Sequence, residues 1–150
     1  MLMPDFDEHG NLPPGIHPMT WQEFTTRFGT NPYRRGLLAG LKEAIELIKR
    51  AGCQTVYLNG SFVTSKALPG DFDMCWDEQG VSVQFLYQLA PVLFDVTDER
   101  AAQKARFGGE IFPSHAVEVR SGEPFIDFFR RDKNGQPKGI VSLDLKGFPS

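Results

Sequence analysis

Two aspartates one residue apart, Asp71 and Asp73, follow the pair Gly60-Ser61 after nine intervening residues. If Phe72 between them is buried in a strand, both carboxylates emerge on the opposite face, because strand side chains alternate. Like charges on one face repel unless a cation sits between them. A hard divalent ion such as Mg²⁺ is held by one or two carboxylates together with substrate phosphates. Gly60 and Ser61 lie just beyond the apolar run Val56-Tyr57-Leu58, where a glycine lets backbone amides approach a ligand closely. The stretch therefore has the chemistry of a metal-phosphate site, with Asp71 and Asp73 as ligands and a triphosphate over Gly60 and Ser61. Lys66, in the loop between them, offers an ammonium as a point charge for a phosphate.

The elements that must position these residues follow from periodicity and from start and stop signals. Thr55 to Leu58 reads as a first strand and Asp71 to Trp76 as a second, both rich in β-branched or aromatic residues. Ahead of them, Thr20-Trp21-Gln22-Glu23 has the capping-box pattern and starts a short helix to about Phe28. Asn31-Pro32 starts a longer one, and Gly52 is placed to end it. Leu37, Leu38, Leu41, Ala44, Ile45 and Ile48 make its apolar stripe, with Arg34, Arg35 and other charged residues on the polar side.

Residues 1 to 19, with Pro13-Pro14-Gly15, read as an extended arm that Phe6, Leu12, Ile16 and Met19 pin to the body. Residues 20 to 150 then form a single domain. Val81 to Phe94 reads as a helix that Pro91 kinks or restarts. Asp98 to Phe107 reads as another, with Asp98 and Glu99 in the first turn and Lys104 and Arg106 near the end, as the helix dipole prefers. Glu110 to Phe112 is a short strand after Gly108-Gly109. Phe125, Ile126, Phe128 and Phe129 are spaced as one helix face, Asp132 to Gly135 is a turn, and Gly139 to Leu145 is a last strand. The expected class is α+β, a small mixed β-sheet flanked by helices.

The spacing of Gly-Ser and Asp-x-Asp resembles the signature of the DNA polymerase β-like nucleotidyltransferase superfamily, in which roughly ten residues separate the two motifs. Within it, Gly60 to Lys66 with Pro69 to Asp73 is similar to a small bacterial family of unassigned function related to minimal nucleotidyltransferases. The similarity runs over most of the chain, from Pro4-Asp5-Phe6-Asp7 to Pro137-Lys138-Gly139-Ile140-Val141. The resemblance implies a nucleotidyltransferase-like fold, an NTP substrate and Mg²⁺ or Mn²⁺. It also implies that Asp71, Asp73 and a third acid on a later strand hold the metal, and that Gly60 and Ser61 contact phosphates. The third acid is to be found among Glu110, Asp127 and Asp144. Glu110 is the first choice, because it opens a strand-like run, whereas Asp127 lies opposite the aromatic face of a helix; Asp144, which shares a face with Ser142 on the terminal strand, stays open as the alternative.

Composition limits the alternatives. The chain has 150 residues, suited to one domain, and a net charge of −3 without a long basic run, which argues against general DNA binding. Cys53 and Cys75 lack CxxC spacing, and His9, His17 and His115 are isolated, so neither zinc nor a histidine-based centre is indicated. Ser61 has no Gly-x-Ser-x-Gly context. Phe62, Trp76 and both cysteines read as core, Arg100 and Lys104 as a shared solvated face. Met1 to Asp5 lacks the regions of a secretory signal, and no apolar run approaches the ~20 residues needed to span a bilayer. A cytoplasmic protein is expected, transferring a nucleoside monophosphate to a hydroxyl on a protein, an RNA or a small molecule. The competing reading is a catalytically inactive binding module on the same scaffold, as a toxin-antitoxin component or a nucleotide sensor.

Overall fold

The computed structural model describes residues 4–149, so Met1 to Met3 of the arm lie outside the described residues. Thr20 and Asn31 start the helices as their side chains require. The Thr20 hydroxyl accepts from the Glu23 amide while the Glu23 carboxylate accepts from the Thr20 amide, closing a capping box on α1, Trp21–Phe28. The Asn31 side chain accepts from the Arg34 amide at the head of α2, Pro32–Arg50, whose first residue is the proline with no amide to lose. At the far end of α2, Gly52 takes a φ of +106°.

Five strands form one mixed sheet. They are β1 (Gly15–Met19), β2 (Thr55–Asn59), β3 (Phe72–Trp76), β4 (Gly109–Pro113) and β5 (Gly139–Asp144), in the spatial order β1-β5-β2-β3-β4. β1 runs parallel to β5 and β3 parallel to β4, whereas β2 is antiparallel to both of its neighbours. Three further helices, α3 (Val83–Leu89), α4 (Thr97–Phe107) and the single turn α5 (Phe125–Phe128), complete the α+β domain. Among the described residues, no helix is long and apolar enough to cross a membrane.

Alternation along the strands gives the two faces of the sheet different jobs. Val56, Leu58, Met74, Ile111, Val141 and Leu143 point to one face and are buried with Leu38, Leu41, Ala44, Ile45 and Ile48 of the α2 stripe. Phe62 and Trp76 are in this core, as expected. The opposite face carries Tyr57, Asn59, Asp73, Cys75, Glu110 and Phe112, and the chain from Ser114 to Lys138 folds back over part of it. Phe125 and Phe129 are seated on Phe112, with ring centroids 4.4 and 5.0 Å away.

Several expectations change in detail. The arm is extended, but its last five residues are a sheet strand, because the β5 edge is free to accept Gly15 to Met19. That alternation leaves Ile16 exposed while Met19 is buried. Pro91 does not merely kink a helix: α3 stops at Leu89 and a separate 3-10 turn covers Pro91–Phe94. Asp98, Glu99 and Arg100 are not an ordinary first turn but three consecutive left-handed residues, with φ between 50° and 60°. Arg34, read as part of the polar side of α2, is only 2% exposed.

Candidate active site

The Gly60-Ser61 turn is shaped from behind by Arg34. β2 ends at Asn59 and the chain turns through a short 3-10 segment, Gly60–Val63. The Arg34 guanidinium, buried beneath this turn, donates to the carbonyls of Phe62 (2.7 Å), Thr64 (2.8 Å), Lys66 (2.6 Å) and Phe28 (3.2 Å). No carboxylate is needed, because four carbonyl dipoles converge on the cation. Burial pulls its pKa below the usual arginine range. Around it, the Thr64 hydroxyl donates to the Ser61 carbonyl at 2.6 Å, Asn31 Nδ2 donates to the Ala67 carbonyl, and the Tyr33 hydroxyl donates to that of Pro69. The Ser65 amide donates to the Gly10 carbonyl, so the N-terminal arm braces the loop from outside.

Asp73 sits in the middle of a polar row. Register makes Asn59 of β2 and Glu110 of β4 its neighbours on either side, and neighbours in register share a face. Asn59 is fully buried; its Nδ2 donates to Cys75 Sγ at 3.7 Å and its Oδ1 has no partner. Gly60 takes a φ of +76°, and a Cβ there would overlap the Asp73 carboxylate. Glycine is required for both reasons.

Burial pushes the Asp73 pKa up to about 7, and the neighbouring Glu110 charge adds to the effect; Lys138 opposes it, Asp71 reinforces it, and Lys104 opposes it weakly. Glu110 itself pairs with Lys104 at 3.7 Å. Lys138, just before β5, has its pKa pulled down by burial and held up by Asp73 and Asp132.

Three cavities adjoin here and share lining residues. A polar one of about 890 Å³ is lined by Gly60, Ser61, Thr64, Lys66, Lys133 and Lys138, among others. An aromatic one of about 670 Å³ holds Asp73, Glu110, Arg100, Phe112, Phe125 and Phe129. A smaller one of about 390 Å³ adjoins both at Gly60, Asp73, Lys138 and Phe128. Arg100 lies over the Phe112 ring, 4.1 Å from its centroid, and its buried Nε has no hydrogen-bond partner.

The structure thus brings Gly60, Ser61, Asp73 and Glu110 to one cleft. Asp71 is exposed, one residue ahead of β3, and Lys66 is exposed on the loop. Of the other acids considered, Asp127 is an exposed residue of α5, and Asp144 pairs with Thr55 at the opposite end of β2 from Asp73. Among the described residues, the carboxylate oxygens of Asp71, Asp73 and Glu110 do not gather within 4.8 Å of one another; the group that does is Asp77, Glu78 and His115. The oxygen donors Asp73 and Glu110 nevertheless suit a hard divalent ion: they are adjacent, mutually repelling and open to the cleft.

Asn59, Lys138 and Arg34 were not singled out from the sequence. Asn59 and Lys138 reach the cleft through strand register and chain reversal, which leave no local signal. Arg34 had one faint signal: the N-cap and proline before it fix which way the first turn of α2 faces.

A family model described as "Family of unknown function (DUF6932)" matches residues 4–144. No curated protein and no solved structure matches the chain.

Proposed function

Since the chain belongs to DUF6932, a family whose description assigns no chemistry, its own residues must carry the reading, and we propose a metal-dependent nucleotidyltransferase. It moves a nucleoside monophosphate from an NTP to a hydroxyl on a protein, an RNA or a small molecule. The observation that carries this reading is the in-register pairing of Asp73 with Glu110 beside a Gly60-Ser61 turn pressed against Asp73. That combination suits a phosphoryl group better than a hydrolytic triad or a redox centre: the one thiol beside the row, Cys75, is buried against Asn59 and its pKa is pushed up to about 12. It also matches the order the nucleotidyltransferase resemblance implies, with Gly-Ser after one strand, Asp-x-Asp at the entrance of the next and a further acid on a later strand.

Asp73 and Glu110 would hold Mg²⁺ or Mn²⁺, with Asp71 at the strand entrance adding negative charge. When bound, the metal neutralises charge on the transferring phosphoryl group and lowers the pKa of the attacking hydroxyl. Gly60 and Ser61 orient phosphates, and Lys66 and Lys138 supply positive charge on the polar side of the cleft. The acceptor oxygen forms a bond to the α-phosphorus, the bond from that phosphorus to the bridging oxygen of the β-phosphate breaks, and pyrophosphate leaves. The acceptor's proton passes to a carboxylate of the pair.

One observation favours a second reading, a nucleotide-binding module without transfer: the three carboxylates do not converge, and Glu110 is engaged by Lys104. Such a module would work as a sensor or through a protein partner, as in a toxin-antitoxin pair. Purified protein with Mg²⁺ or Mn²⁺ and each α-³²P-labelled NTP, offered cell lysate and total tRNA, separates the two. Metal-dependent label transfer that is lost in the Asp71→Ala/Asp73→Ala variant is expected. Transfer that survives the double substitution, or none with any NTP, refutes the enzyme; saturable NTP binding without transfer selects the module.

A further inference from the structure

The two ends of the cleft differ in chemistry, and the difference orients a ligand. On the Gly60 side the lining is polar: hydroxyls from Ser61 and Thr64 and ammonium groups from Lys66, Lys133 and Lys138, with the carboxylates of Asp7 and Asp132 among them. On the Glu110 side the phenylalanines Phe112, Phe125, Phe128 and Phe129 line it, together with Arg100, Glu118 and Arg120. Asp73 lines both the smaller cavity and the aromatic one, and Gly60 and Lys138 line both the smaller cavity and the polar one, so the three adjoin in a row. A molecule that is polyanionic at one end and planar at the other fits such a row in one direction only.

We propose that the aromatic cavity is the seat of a nucleobase, so that an NTP lies with its base beside Arg100 and its terminal phosphates over Gly60 and Ser61. This rests on the nucleotidyltransferase reading for the phosphate end, but the base seat has its own support. At about 670 Å³ the cavity is of small-molecule size. Stacking on aromatic side chains and on the guanidinium plane is how flat bases are held when no duplex pairs them. Phe128 meets Phe129 edge to face at 5.2 Å and lines both the aromatic and the smaller cavity, at the level where base gives way to sugar. Arg100 lies over Phe112, 4.1 Å from the ring centroid, and lines the cavity, so its guanidinium adds a planar cation beside the rings. Because stacking grows with ring area, purines are preferred to pyrimidines. Val117 and Val119, 54% and 91% exposed, stand on the same lining beside Glu118 and Arg120.

The test uses the full chain, with ATP, CTP, adenosine and inorganic triphosphate as probes, in Mg²⁺. In saturation-transfer NMR with irradiation of protein methyl groups, the adenine H2 and H8 protons are expected to take up more saturation than the ribose protons. Adenosine alone competes with ATP, and ATP binds several-fold more tightly than CTP. Phe128→Leu keeps the apolar volume and removes the ring; with an unchanged melting temperature it weakens ATP and adenosine by roughly fivefold or more and leaves inorganic triphosphate unchanged, while Phe128→Trp restores binding. Ribose protons saturated more strongly than base protons, adenosine that does not compete, or ATP affinity within twofold of wild type in Phe128→Leu overturns the base seat. The two readings fail separately. Adenosine binding that depends on Phe128 without any label transfer leaves the seat and removes the enzyme, whereas base-blind transfer indifferent to Phe128 does the reverse.

Discussion

Replacing Asp73 with asparagine should make the protein more stable, and increasingly so as pH rises. In the fold the carboxyl holds its proton up to about pH 7, because burial and the Glu110 charge disfavour the anion. In the unfolded chain an aspartate loses its proton near pH ~3.9. Between those values the folded state binds more protons than the unfolded one, so stability falls with rising pH across that window and levels off above it. The gap is roughly three powers of ten in proton affinity, or about 4 kcal/mol at about 1.4 kcal/mol per tenfold. Water entering the cleft trims the stabilisation expected of Asp73→Asn at pH 8 to about 2–4 kcal/mol. In a chain of this length each kcal/mol is worth about 2–4 °C, so the variant should melt on the order of 10 °C higher at pH 8. Below pH 4 the two proteins should converge. Thermal melts of both in chelator-treated buffer at pH 4, 6 and 8 give the comparison. A variant less stable than wild type at pH 8, or one whose advantage does not change with pH, refutes the account of Asp73 as a carboxylate held against its own charge.

Arg34→Met, which keeps the apolar stem, strips donors from four carbonyls beneath the Gly60 to Lys66 loop; a loss of about 3–5 kcal/mol is expected in urea unfolding, and a loss under 1 kcal/mol would contradict it. Gly60→Ala adds a left-handed penalty of about 1–2 kcal/mol to an overlap with the Asp73 carboxylate, so it should abolish nucleotide binding and lower the unfolding midpoint, and only the drop in midpoint should be partly reversed by Asp73→Gly. Burial pushes the Cys53 thiol up to about 11 and the Cys75 thiol up to about 12, so Ellman's reagent at pH 8 should label neither in the native protein and both after unfolding; prompt native labelling would show that the sheet opens locally.

What could be read ahead of the structure was local. The Thr20 box, the Asn31 cap, the α2 stripe and the strand patterns around Val56 and Phe72 each depend on neighbours within one or two turns of chain, and each is present as an element. Asp71, Asp73, Gly60 and Ser61 stood out because their spacing lies in a single stretch. The row Asn59-Asp73-Glu110, in contrast, exists only through the registers of β2 with β3 and β3 with β4, and no local pattern encodes a register between strands so far apart in sequence. Lys138 is further still, brought in by the return of the chain to β5. Arg34 looked like half of an exposed Arg-Arg pair, and its burial depends on carbonyls from a loop about thirty residues away. Asp98 to Arg100 contain no glycine to announce their left-handed turn.

The placement of β5 has a consequence for how the domain comes together. It lies between β1 and β2, so the N-terminal strand and the strand that leads into the Gly60 turn never pair with each other. Until residues 139 to 144 arrive, β1 has no partner and β2 has one open side. The sheet is therefore closed by a wedge whose contacts span most of the chain, and topologies built on such distant pairings form slowly and cooperatively. Lys138 enters with that wedge, immediately ahead of Gly139. The cation that tempers Asp73 thus reaches the cleft in the same event that locks the sheet, so the cleft becomes electrostatically complete only when the fold does.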